Sequence, residues 1–169
     1  SLYLAEHQMN VEFFKEVWIS IVSLPLKLWG NIACWNATRL EWEEVCPKWK
    51  WDEVYIMWNP PYLGGKWQSE EQKEDMRIAF NGEKKIGELD YIACWFYLGA
   101  NYIRGINAKC AFVSTNSISQ GEQVALTWPR VLKNDLEICF AHQSFKWKNN
   151  AKANANVIVV IIGISNISS

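Results

Sequence analysis

The sequence predicts an α/β fold, with a mainly parallel sheet and one antiparallel strand at an edge. Three observations predict it. Short apolar runs alternate with segments whose apolar residues recur at helical spacing, the pattern of strand–helix–strand units. The last two strand-like runs, "LEICFAHQSF" and "NVIVVIIGIS", have only a polar loop between them, which makes one of the pair antiparallel. Of the 169 residues, 50% are hydrophobic and 21% charged, a composition that suits one packed core rather than a disordered chain.

Residues 2 to 18 have apolar positions at helical spacing, and "SLPLKLWG" is a loop punctuated by Pro25 and Gly30. "NIACWNA" reads as a short strand over 32–35, ending at Asn36. "RLEWEEVCPKWK" reads as a helical turn or two, stopped by Pro47. "EVYIMW" gives a strand over 54–58, and "LGGKWQS" is a loop. Ser69, followed by Glu and Gln, opens a helix with a capping pattern. "ELDYIACWFYLGANYIRG" is a long apolar helix that ends near Gly105. "AKCAFVSTNSI" is rich in strand formers and runs out into Ser and Thr, giving a strand over 109–115. A helix in "SQGEQVALTWPRVLKN" is expected to bend or break at Pro129. The last two strands are expected near 136–142 and 156–163, with the polar loop "KWKNNAKANA" between them.

Charge and cysteine usage narrow the function. The formal net charge is −1, whereas a domain that grips nucleic acid unaided is usually basic. Any DNA contact must then be local or come from another segment. Cys34, Cys46, Cys94, Cys110 and Cys139 form no CxxC pair, which suits reduced thiols in a cytoplasmic protein. His7 and His142 have no ligand-spaced partner, so no metal site is expected. "NVIVVIIGI" is too short to span a bilayer, so no membrane association is expected. "SLYLAEHQMN" reads as the middle of a helix with no cap before it, so the chain is expected to be a fragment. Eleven Trp are several times ordinary usage; most suit packing, and one or two could stack on bases.

The most informative stretch is "VYIMWNPPYLGG", residues 54 to 65. Two consecutive prolines cannot donate to a sheet ladder, so the strand stops at Asn59-Pro60-Pro61-Tyr62. Ligands of open α/β sheets bind beyond the carboxyl ends of strands, where Asn36, residues 59–62 and "STNS" at 114–117 are all expected to fall. Taken alone, the tetrapeptide also reads as a proline-stopped strand end, with Asn in a turn and Tyr in the core.

Asn59-Pro60-Pro61-Tyr62 resembles the catalytic tetrapeptide of S-adenosylmethionine-dependent amino-methyltransferases, most of which modify the N6 of adenine in DNA. Protein-glutamine and some RNA methyltransferases carry it too. Four further stretches narrow the resemblance: "GELDYIACWFYLGANYIRG", "AFVSTNSISQGEQVALTWPRV", "FAHQSFKWKNNAKANA" and "VIVVIIGI". In that order they resemble the methyltransferase region of bacterial type IIL restriction–modification fusion enzymes. "SLYLAEHQMN" and "GNIACWNATRLEWEE" fit the same region upstream, so the resemblance covers nearly the whole chain.

The resemblance implies a partial Rossmann-like class I methyltransferase sheet, S-adenosylmethionine as cofactor and double-stranded DNA as partner. It implies that the Asn59 side-chain carbonyl and the Pro60 main-chain carbonyl accept from the adenine amino group, with Pro61 stiffening the loop. Such acceptors favour the rehybridised nitrogen that develops during attack. Tyr62 then stacks on a base that has left the duplex. Asn36, with Ala37 beside it, would hydrogen-bond the adenine amino group of the cofactor, although a turn-forming Asn is the alternative. Phe145, or alternatively Trp147, would meet the far face of the base, with a core role open for either. Lys146, Lys148 and Lys152 could meet phosphate. Asn59, Pro60 and Tyr62 are expected within a base's reach of Asn36 and Phe145.

The family's aromatic-x-Gly-x-Gly cofactor loop and the acidic residue that holds the ribose are not found in the 169 residues. Residues 1–169 therefore read as the C-terminal part of a methyltransferase catalytic domain, without the glycine-rich loop, the target-recognition domain or a nuclease. The N-terminal and target-recognition segments of a parent polypeptide become implied partners, and the fragment alone is expected to be inactive. Trp58 and Trp35 stand where the family has a small residue and could crowd the pocket. A noncatalytic remnant of the fold is the competing expectation.

Overall fold

The structure is a computed structural model that describes residues 8–9, 11–12, 15–16, 32–146 and 157–167. The described residues between 8 and 16 are helical; the rest of the helix expected over 2–18 lies outside them. The described residues from Cys34 onward form one compact unit, which contains the sheet.

In chain order the elements of this unit are α1 (Trp42–Val45), β1 (Val54–Trp58), α2 (Glu70–Ala79), α3 (Ala93–Ile103), β2 (Ala108–Thr115), α4 (Gly121–Val131), β3 (Leu136–Lys146) and β4 (Ile158–Asn166). Short 3-10 turns cover Gly65–Trp67 and Asn116–Ser119. β1 begins and ends where its apolar run predicts. Ser69 caps α2 by accepting from the Gln72 amide, and the Gln72 side chain returns a bond to the Ser69 amide.

The four strands lie in the order β1-β2-β4-β3. β1 pairs parallel with β2, from Val54↔Ala108 to Trp58↔Phe112. β4 runs antiparallel to both β2 and β3. The antiparallel strand is therefore interior, not at an edge as expected. β4 carries no charged side chain and is buried along most of its length, which suits a strand covered on both sides. β3 carries Glu137, His142, Gln143 and Lys146 and is exposed along most of its length, the character of an edge strand. Two register shifts, at Ile138/Phe140 and His142/Phe145, interrupt the pairing of β3 with β4, as bulges on an edge strand do. Gly163 sits opposite Phe140, whose ring occupies the space a side chain would need.

No strand forms over 32–35. These residues are irregular, and Ile32 is 95% exposed. An apolar run becomes a strand only when a neighbour takes its backbone hydrogen bonds, and among the described residues no strand pairs with this segment.

The core gathers around α3, which is apolar on every side and almost wholly buried, as a central helix must be. Gly99 lets α3 approach β2: a Cβ there would lie 3.0 Å from the Phe112 ring, and Phe112 meets Phe96 edge to face. Asn166, at the end of β4, donates to the carbonyls of Ile103 and Ile106 and accepts from the Gly105 amide, closing the end of α3. Pro129 neither ends nor breaks α4, which continues to Val131. Only one backbone donor is lost, close to the helix end, and buried Trp128 and Val131 hold that last turn in the core.

Candidate active site

The carboxyl ends of β1, β2 and β3 fall at one margin of the sheet, with the start of β4 among them. The chain leaves β1 at Trp58 and enters Asn59-Pro60-Pro61-Tyr62 at that margin. Asn59 is exposed, Pro60 buried, Pro61 exposed and Tyr62 half-buried against the core. The two prolines cannot donate, so the tetrapeptide needs anchoring from outside itself.

Leu63, the next residue, provides the anchor. Its amide donates to Asp90 Oδ1 at 2.9 Å, and its carbonyl accepts from the Tyr91 amide at 2.9 Å. Gln68 bridges the two segments, donating to the carbonyls of Leu63 and Leu89. Gln123 of α4 holds the other side, accepting from the Asp90 amide and donating to the Glu88 carbonyl. Gly65 makes the close approach possible: a Cβ there would lie 2.3 Å from the Gly87 carbonyl oxygen. The Asp90 carboxyl is only 6% exposed as a residue, and burial pushes its pKa up, against the backbone amides of Ile92, Leu63 and Tyr91.

Asn36 lies in a second polar knot. Its Oδ1 accepts from both the amide and the hydroxyl of Thr38, at 3.0 and 2.8 Å, and its Nδ2 donates to Asp75 Oδ2 at 3.0 Å. The Thr38 amide can only donate and a carboxylate can only accept, so the carboxamide has one possible orientation. Its carbonyl is fully used, and among the described residues one Nδ2 hydrogen has no acceptor. The Ala37 carbonyl accepts from the Trp42 indole. Asp75 is buried on α2 and also accepts from Arg39 Nε at 2.6 Å and the Tyr91 hydroxyl at 2.5 Å. Burial alone would raise the Asp75 carboxyl; hydrogen bonds from Tyr91, Arg39 and Asn36 outweigh it and hold the group below its ordinary value. The same burial, with Asp75 alongside, raises the Tyr91 hydroxyl.

The structure thus joins the Asn36 turn to the tetrapeptide loop through Asp90-Tyr91, at the entry to α3. Phe145 is half-buried on β3 and stands in the row Thr115–Val159–Phe145. β3 is three strand positions from β1, roughly 14 Å across the sheet at an ordinary spacing of about 4.8 Å. Trp147, Lys148 and Lys152 lie outside the described residues. Trp58 and Trp35 are 61% and 72% exposed, so neither indole is packed into the interior. Sequence reasoning missed Gln68, Asp75, Asp90, Tyr91 and Gln123. An Asp ahead of an apolar run signals a helix start, and Asp90 does accept from the Ile92 amide. Nothing local reveals that the same oxygen also takes an amide 27 residues away.

The family model described as "MmeI, DNA-methyltransferase domain" matches residues 1–169. The chain belongs to that family. It is 54% identical over 164 residues to DNA methyltransferase A of Bacillus subtilis (strain 168), covering 96% of this chain and 19% of that protein. Its structure resembles that of the type IIL restriction–modification enzyme MmeI in complex with DNA, at 39% identity and a TM-score of 0.79. That likeness covers 99% of this chain and 22% of the enzyme. The chain therefore spans about a fifth of the length of each relative. Among the described residues no helix is long and apolar enough to cross a membrane.

Proposed function

We propose that this MmeI-family chain contributes the target-base side of a methyltransferase that transfers a methyl group from S-adenosylmethionine to N6 of a flipped adenine in double-stranded DNA. The observation that carries the reading is an anchored Asn-Pro-Pro-Tyr loop at the carboxyl end of a strand, in a chain of a DNA-methyltransferase family.

The adenine amino group is a weak nucleophile because its lone pair is delocalised into the ring. The Asn59 side-chain carbonyl and the Pro60 main-chain carbonyl accept its two hydrogens and favour the pyramidal nitrogen of the transition state. Pro61 stiffens the loop, and Tyr62 stacks on the extruded base. Phe145, or Trp147, meets the opposite face. S-adenosylmethionine, when bound, supplies an electrophilic methyl on sulfonium. The Asn36–Ala37 turn holds its adenine, and the orientation of Asn36 makes the free Nδ2 hydrogen the group offered to a ring nitrogen. A donor there suits a ring nitrogen of the purine and not its amino group, which needs the acceptor that Thr38 already occupies. The rest of the cofactor pocket needs a glycine-rich loop that the 169 residues do not contain, so residues 1–169 by themselves are expected to be inactive. In this reading they form one part of a larger catalytic domain, working in the cytoplasm on the cell's DNA, and target recognition comes from other segments of the protein.

The test is tritium transfer from labelled S-adenosylmethionine to unmethylated DNA by the full-length protein, with the modified base identified by mass spectrometry. N6-methyladenine is the expected product, and Asn59→Ala is expected to abolish it while cofactor binding survives. Any other modified base, or full activity of Asn59→Ala, would overturn the reading.

A further inference from the structure

We propose that the dipeptide Asp90-Tyr91 is the positioning element of the site, Asp90 holding the target-base loop and Tyr91, through Asp75, holding the cofactor turn. This rests on the proposed roles of Asn59–Tyr62 and Asn36.

The loop half of the argument starts from a shortage of donors. Between Asn59 and Leu63 two residues lack an N–H, so little backbone hydrogen bonding can hold the acceptors of Asn59 and Pro60 in place. The Leu63 amide is the first donor with an anchor, and the anchor is the Asp90 carboxylate. The Leu63 carbonyl is held as well, by the Tyr91 amide and by Gln68. Both backbone groups of one residue are therefore tied to one segment. That segment is itself immobilised by Gln123, which grips it from α4 at the Glu88 carbonyl and the Asp90 amide.

The cofactor half runs through the next side chain. The Tyr91 hydroxyl donates to Asp75 Oδ2, the oxygen that also receives Asn36 Nδ2. The ring is buried edge-on against Trp95, so the hydroxyl has a fixed position. Adjacent residues thus set the two turns that must be placed relative to each other for in-line transfer, where about 1 Å of misplacement costs on the order of a hundredfold. Neither side chain touches the reacting atoms, so both are positioning residues.

The two halves can be separated in the full-length protein. Tritiated S-adenosylmethionine with unmethylated bacteriophage DNA gives kcat and KM, calorimetry gives cofactor affinity, and amide exchange by mass spectrometry reports each turn. All are measured well below each variant's unfolding midpoint. Asp90→Ala is expected to lower kcat by about tenfold to a hundredfold, to raise exchange in residues 59–68, and to leave cofactor affinity and residues 34–40 unchanged. Asp90→Asn keeps an oxygen for the Leu63 amide and is expected to restore most of kcat. Tyr91→Phe loses one hydrogen bond and is expected to weaken cofactor binding about fivefold, to raise exchange in residues 34–40, and to leave exchange in residues 59–68 unchanged. Unchanged exchange at 59–68 in Asp90→Ala, or the same pattern in Asp90→Ala and Tyr91→Phe, would overturn the proposal. A wild-type protein that transfers no methyl group defeats the functional reading, while the exchange patterns still decide the positioning.

Discussion

A Gly65→Ala substitution would place a methyl group 2.3 Å from the Gly87 carbonyl oxygen and 3.3 Å from that of Leu89. Ordinary contact begins near 3.4 Å, so the loop must retreat by about 1 Å, and both obstacles are backbone that cannot rotate away. The retreat acts two residues from Leu63 and strains the bond from its amide to Asp90, the tether of the proposed acceptors. An error of about 1 Å in a transfer geometry costs on the order of a hundredfold in rate. Relief of the overlap should also cost about 1–3 kcal/mol of stability. Gly64→Ala is the matched control, because its nearest neighbour is the edge of Trp67 at 3.9 Å, an ordinary contact. The assay is methyl transfer to unmethylated DNA by the full-length protein, with thermal unfolding in parallel. Gly65→Ala is expected to lose about two orders of magnitude in kcat and keep its cofactor affinity, while Gly64→Ala stays near wild type. Equal kcat for the two alanine variants would refute the docking of this loop as a determinant of rate.

Other perturbations test other parts. Asp75→Asn removes a carboxylate whose pKa is depressed below 3.8, so its stabilising effect is present above that value and is lost as pH falls through the folded pKa. The difference in unfolding midpoint between wild type and Asp75→Asn should accordingly be constant near neutrality and shrink in strong acid; a difference that grows on acidification would contradict the assignment. Phe112→Ala empties a fully buried site beneath Gly99 and beside Phe96, and denaturant titration should show a loss of about 3–5 kcal/mol. The atoms nearest to an added methyl in Gly163→Ala belong to the Phe140 ring, which is half exposed and can swing out, so its cost should stay near 1 kcal/mol despite the closer overlap. Tyr62→Phe should retain methyl transfer, whereas Tyr62→Ala should lose about 1–3 kcal/mol of base stacking, read as weaker DNA-dependent kcat/KM.

Much of the architecture could be read along the chain because it is locally encoded. β1, α2 with its Ser69 cap, β2 and α4 form where periodicity and capping residues place them, whereas α3 starts only at Ala93, five residues later than its apolar run from Glu88 suggests. The expected strand over 32–35 did not form, because apolar composition describes what a segment could bury and not whether a neighbouring backbone is there to pair with it. Of the bend or break expected at Pro129, the break did not occur, because a single lost hydrogen bond near a helix end is outweighed by the packing of buried Trp128 and Val131. The interior place of β4 was within reach of the sequence. Its uncharged run contrasts with the mixed polar pattern of β3, and the order of appearance in the chain was the wrong guide.

By itself the sequence determined the alternation of elements, the Asn-Pro-Pro-Tyr ending of β1 and the resemblance to type IIL methyltransferases that the family match bears out. Those features depend on residues near one another in the chain, where steric preference and apolar spacing act directly. Only the tertiary structure decided that β4 divides β2 from β3, that Asp75 receives Asn36, Arg39 and Tyr91, and that Asp90 receives the amide of Leu63. A buried carboxylate takes whichever donors the packed fold delivers to it. That choice is made by the cost of leaving a buried donor unpaired across tens of residues of chain.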